Sequence, residues 1–201
     1  DGTIRFGQKY LSYPGSKFNI TNPKYPKLNF SYEKGVGATI SDYNFDHFKL
    51  NLTQNISLEN KGSFSYNLLG GTFFGDAELA FMDYKHINGN QTHTNLKGNY
   101  LSSFKNVGYY NLSTSENYVE YHIEHDFSGY ILGKIPLINS LNYNLIIGAH
   151  GFSTKQQKPY QEFSLGINNI GWGKYRFLRV DYVRSYQSGF TSDGVLFGIS
   201  L

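Results

Sequence analysis

The chain has no cysteine, one methionine, one tryptophan and five prolines in 201 residues. Without cysteine there are no disulfides and no thiolate metal sites, which suits a protein of the cell envelope with no need of thiol chemistry. No run of about 18 apolar residues occurs, so no stretch suits a transmembrane helix. Charged residues are only 16% of the chain, and the net charge of +3 is spread without a basic block. A nucleic-acid partner needs a concentrated basic stripe, so none is expected. No leader peptide stands at the start, and an exported chain would have shed one.

What the chain does have is glycine and aromatics: 22 Gly, 18 Tyr and 16 Phe. It also has a two-residue rhythm. In 48–58, Phe48, Leu50, Leu52, Ile56 and Leu58 alternate with Lys49, Asn51, Thr53, Asn55 and Ser57. A strand points successive side chains to opposite faces, so this segment has one greasy and one wet face. Such a chain either packs its greasy face on a second sheet or turns it toward lipid. The mean hydropathy of −0.44 does not decide between them, because alternating faces average to a polar value.

The pattern predicts an all-β chain of about nine strands, near 3–12, 26–34, 45–59, 62–74, 117–131, 141–154, 160–170, 175–187 and 191–201. Several exceed the usual strand length of about 5–6 residues and reach the roughly 9–11 that a tilted membrane strand needs. Tyr10, Tyr13, Tyr25, Tyr43, Tyr118, Tyr130, Tyr160, Tyr175 and Tyr186 sit near strand ends, as an interfacial girdle requires. The fold class expected is therefore an antiparallel transmembrane β-barrel, with outer-membrane lipids against its greasy face and a bacterial outer membrane as its location. The competing expectation is a soluble sandwich with tyrosines at its rims.

The connection at 75–116 is long for an idle loop. Counting back from a periplasmic C-terminus puts 75–116, 35–44, 155–159 and 188–190 outside the cell, and the first strand then enters from outside. Bacterial barrels usually have even strand numbers. Residues 1–201 are thus expected to be the C-terminal part of a larger barrel, its upstream strands missing or on another chain.

The fifth expected strand places Glu120, His122, Glu124 and Asp126 on its wet face, with His125 opposite. With Arg179 and Asp181 of the eighth they form a candidate lumenal polar cluster. Arg179 is expected to pair across the lumen with Glu120, Glu124 or Asp126, as a guanidinium locks bidentately onto a carboxylate. The structural reading of this cluster, a polar barrel wall, stands beside a functional one of cation binding or acid–base work. The 75–116 segment carries Asp76, Glu78, Asp83, His86, Asn88, Asn90 and His93 among Phe81, Tyr84, Tyr100, Phe104, Tyr109 and Tyr110. Amides and aromatics suit sugar or protein recognition, and the same segment is also able to fold inward as a plug. His86 and His93 lack a third fixed ligand, so no metal is expected. No Gly-X-Ser-X-Gly and no phosphate-binding loop occur. No catalytic residue, cofactor or enzymatic activity is expected. Val195, Phe197, Ile199 and Leu201 share a face of the last strand, as in a terminal strand read by outer-membrane assembly machinery, although Leu201 replaces the usual aromatic residue. That edge is expected to need a closing partner.

Several segments resemble one Bacteroidetes outer-membrane family of unknown function. They are 3–10, 25–32 with Lys34-Gly35, Asp42-Tyr43, 68–75, Phe81-Met82-Asp83-Tyr84, the block 118–129 followed by 134–138, and Gly166-Ile167-Asn168-Asn169-Ile170 with 177–183. The resemblance covers nearly the whole chain. It implies a barrel similar to the BamA and TamA superfamily, preceded in the family by a carboxypeptidase-regulatory-like sandwich that this sequence lacks. It further implies a structural or assembly component of an envelope complex, partnered by other envelope proteins or an outer-membrane assembly complex. The alternative expectation is a surface binding or uptake barrel that recognises a glycan or protein through 75–116.

Overall fold

The computed structural model describes residues 1–20, 24–36, 44–75 and 79–200. The described residues are all-β, with short 3-10 turns and no longer helix among them. Twelve strands form in order: β1 (Gly2–Arg5), β2 (Lys9–Tyr13), β3 (Ser16–Ile20), β4 (Lys27–Gly35), β5 (Phe45–Ser57), β6 (Ser63–Phe74), β7 (Thr94–Asn95), β8 (Tyr118–Asp126), β9 (Asn144–Thr154), β10 (Tyr160–Trp172), β11 (Tyr175–Gln187) and β12 (Phe190–Ile199). Ten of them make one sheet, ordered β1-β4-β5-β6-β8-β9-β10-β11-β12-β7, and β2 and β3 pair as a separate hairpin. Consecutive long strands are antiparallel neighbours, as short connections dictate.

Two expected strands are shorter or broken. The one expected at 3–12 splits at Phe6-Gly7-Gln8, where Gly7 takes a φ of 62°, a left-handed turn open to glycine. β3 follows β2 through a turn at Pro14-Gly15 and pairs back on it. The strand expected at 117–131 stops at Asp126, whose carboxylate accepts the Ser128 N–H at 2.7 Å. Ser128 and Gly129 then have positive φ, so Phe127 and Ile131 lie in a turn rather than on a strand face. Residues 139–141 form a 3-10 turn before β9.

The sheet is not closed into a barrel. Among the described residues, β12 does not pair with β1. Its outer edge takes two residues of β7 in parallel, Phe197 against Thr94 and Gly198 against Asn95, with Phe197 N–H donating to the His93 carbonyl at 2.9 Å. The segment 79–117 supplies β7 and lies over one face of the sheet, and is called the plug below. Its side chains Ile87, Phe104, Val107 and Leu112 pack on Tyr118, Phe152 and Tyr160 of that face in a small apolar core.

The two faces have inverted polarity. On the covered face Glu162, Asp181 and His150 are fully buried. On the bare face Val119 is 59%, Leu165 53% and Phe197 58% exposed. Gly198 faces the plug, where a Cβ would collide with the Tyr100 hydroxyl. We expect Gly198→Ala to cost about 1–3 kcal/mol, as overpacking does. Denaturant unfolding in detergent will read the loss, and limited proteolysis will find new cleavage within 94–101.

Candidate functional site

The plug meets the sheet in a buried charge cluster. Alternation along β8 sends Glu120, His122 and Glu124 to the covered face, and the ladder sets His122 opposite His150 of β9. β10 contributes Glu162 and Ser164, and β11 contributes Arg179, Asp181 and Ser185. Gly166 lies opposite Asp181 in the ladder, and a side chain there would collide with the Asp181 carboxylate.

Into this wall the plug inserts Lys105, 1% exposed. Its Nζ lies 2.8 Å from Glu124 Oε1, 2.8 Å from Ser164 Oγ and 3.5 Å from Asp181 Oδ1. The backbone follows. Lys105 N–H donates to Glu162 Oε2 at 2.7 Å and Asn106 N–H to Glu162 Oε1 at 2.8 Å. Tyr160 also donates to Glu162 Oε1, at 2.7 Å. The Asn106 amide reaches Ser192 Oγ at 2.8 Å and Ser185 Oγ at 3.1 Å.

Arg179 completes the charge balance. It holds Glu124 bidentately at 2.7 and 3.1 Å, and Asp181 through Nε at 2.8 Å and Nη2 at 2.9 Å. Its guanidinium lies 3.7 Å from the centre of the Tyr100 ring, a cation–π contact. The Tyr100 hydroxyl donates to the Ile199 carbonyl at 3.1 Å, and burial holds that hydroxyl up at about 12. Two cations, Lys105 and Arg179, thus face two carboxylates, Glu124 and Asp181. Buried charges are tolerated when paired and hydrogen-bonded in this way.

A second row lies beside it. Glu120 contacts Lys85 of the plug at 2.9 Å and His122 Nε2 at 2.9 Å. His122 Nδ1 meets His150 Nδ1 at 2.9 Å. One proton assignment satisfies both of these imidazole contacts. His122 Nε2–H donates to Glu120, and His150 Nδ1–H donates to His122. The His150 Nε2 lone pair is then left without a partner, as that atom is in the structure.

Of the residues expected from sequence, Glu120, His122, Glu124, Arg179 and Asp181 come together. Arg179 pairs with Glu124 and not with Glu120 or Asp126, because Asp126 sits at the strand end and caps the following turn. Val195, Phe197 and Ile199 lie on the bare face of β12. Leu201, Tyr43, Asp42, Asp76 and Glu78 fall outside the described residues. Sequence reasoning missed Lys105, Asn106, His150, Glu162 and Ser164. Glu162 and Ser164 were accessible to it, since they alternate with Phe163, Leu165 and Ile167. Lys105 carried no local signal.

We expect Lys105→Met to destabilise the fold by about 3–5 kcal/mol, because it leaves buried carboxylates undercompensated. Arg184→Gln, which breaks the half-exposed pair to Asp193, will cost about 0–1 kcal/mol. Urea unfolding of both variants in the same detergent checks the contrast.

Comparison with known proteins places these residues in a family without assigning them a task. No curated protein and no solved structure matches the chain. A family model matches residues 1–167, which carry the plug and all of the cluster except Arg179, Asp181 and Ser185. The chain belongs to the family of unknown function DUF5686, within its C-terminal domain.

Proposed function

We propose that this chain is wall and plug of an antiparallel transmembrane β-barrel in a bacterial outer membrane, similar in kind to the BamA and TamA barrels. It would act without enzymatic activity as a structural or assembly component of an envelope complex. The observation that carries this reading is the inverted polarity of the sheet. Aromatic and aliphatic side chains stand on the bare face, while acids, histidines and an arginine are buried on the other. Water-soluble sheets do the reverse, whereas a membrane strand alternates apolar-out and polar-in. The bare face then meets outer-membrane lipids. The plug, anchored by Lys105, favours a closed interior over a steady pore.

A second reading has its own support. The plug itself carries a cavity of about 470 Å³ lined by Asn88, Asn90, Thr92, Thr94 and Tyr109 among others. Amides, hydroxyls and an aromatic ring suit a glycan or protein surface, so a binding or uptake barrel is the alternative. In the Bacteroidetes envelope that the sequence resemblance implies, other envelope proteins or upstream strands would complete the sheet edges.

Leu165→Arg tests the lipid-facing reading. A cation at mid-membrane costs about 2–4 kcal/mol, so the variant will fold into lipid vesicles in lower yield, read by heat-modifiable mobility on a gel. Folding of the unaltered chain in water without detergent, as a monodisperse species, would overturn the reading. Planar-bilayer recording separates the two functions. A quiet bilayer and co-purification with assembly proteins fit the first, and a steady open pore fits the second.

A further inference from the structure

The covered face holds a second feature that the cluster does not use. A cavity of about 580 Å³ opens beside the plug, between β1, β4, β5 and β6 and residues 98–102. That volume suits a small ligand. Its lining is mostly apolar surface, with Phe6, Tyr25, Tyr66 and Tyr100 among its residues, and Asn55, Ser65 and Asn67 on the sheet with Asn99 and Ser102 on the plug supply polar groups. Asn55 donates to Ser65 Oγ at 2.9 Å, and Asn67 donates to the Leu101 carbonyl at 2.6 Å. These bonds fix the amides in place.

Charge at the cavity is one-sided. Arg5 and Lys27 both line it, and they are direct ladder partners on β1 and β4. Lys27 continues in register to Thr53, Asn67 and His122, so both cations point to the covered face. Like charges directly opposite each other destabilise a sheet. Among the described residues no carboxylate forms an ion pair with either. Glu124 is the acid that lines the cavity, and Lys105 and Arg179 already neutralise it at 2.8 and 2.7 Å. The carboxylates of the cluster all have partners on this face, whereas Arg5 and Lys27, both exposed to solvent, have no ion pair among the described residues.

We propose that this cavity binds a phosphate-bearing, hydroxyl-rich ligand, its phosphate between Arg5 and Lys27 and its hydroxyls against Asn55, Ser65 and Asn67. The guanidinium fork takes two phosphate oxygens, and the lysine supplies a point charge for a third. Amides offer both donors and acceptors to the hydroxyls. The site lies on the covered face and is independent of what touches the bare one. The phosphate comes either from a soluble sugar phosphate or from a lipid headgroup.

Calorimetric titration of the full chain in neutral detergent, with glucose 6-phosphate as probe, tests this. Saturable binding is expected, stronger than that of glucose or inorganic phosphate. Arg5→Gln and Lys27→Gln will each weaken it by about tenfold, the worth of a charge-assisted bond. Lys27→Arg will retain it, as will Lys155→Gln, at a residue just beyond β9 and outside the cavity lining. Circular dichroism confirms that each variant is folded. Competition by phosphatidylglycerol vesicles, absent with phosphatidylcholine vesicles, will assign the phosphate to a lipid headgroup; equal results with both assign it to a soluble ligand. Absence of binding, affinity unchanged in both glutamine variants, or glucose or inorganic phosphate binding as tightly as glucose 6-phosphate would each overturn the proposal.

Discussion

One ammonium group ties this structure together. Lys105 lies on a segment with little regular structure, yet its Nζ is buried between Glu124, Ser164 and Asp181. A buried lysine without partners would cost several kcal/mol. With them it fixes the segment's position on the sheet. Glu162 takes the two adjacent backbone N–H groups, so main chain and side chain are held together. Phe104, fully buried next to it, packs near the His122 ring at 4.9 Å between centroids. Polar and apolar anchors therefore act at successive residues.

The inverted sheet makes such an anchor necessary. Its covered face is studded with acids and histidines, and hydrophobic packing alone cannot satisfy them. The small apolar core around Phe104 and Val107 occupies only one region of that face. Elsewhere the plug must supply donors and cations, which it does through Lys85, Lys105 and Asn106. Arg179 adds what the plug does not. It lies between two carboxylates and beneath the Tyr100 ring, so one guanidinium joins β8, β11 and the plug.

Period-two alternation made the long strands legible. β11 spans Tyr175–Gln187, the range read from the sequence, and β5 ends two residues short of it. Errors came where single residues stop a strand without changing its rhythm. Gly7 does this by its left-handed φ, and Asp126 by accepting the Ser128 N–H. The wet faces of β8 and β11 showed Glu120, Glu124, Arg179 and Asp181 in advance. Inward folding of the long segment was one of two readings of it, but its anchoring residues did not show themselves, because their contacts are made across sequence rather than along it. Lys105 meets Glu124 at a separation of 19 residues and Ser164 at 59. It is one of 18 cationic residues, and no local pattern sets it apart.

The edge of β12 bears on how such a sheet would sit in lipid. β7 covers only Phe197 and Gly198 of a ten-residue strand. In water, an edge strand hydrogen-bonds to solvent at little cost. In hydrocarbon, each unsatisfied backbone group costs several kcal/mol. If the bare face meets acyl chains, the sheet's outer edges need strand partners over most of their length. The residues of β7 cannot supply them, since the plug they belong to is committed to the covered face through Lys105. A lipid-facing role and an isolated ten-stranded sheet are therefore incompatible. The proposed membrane function requires further strands, from the same protein or from a neighbour.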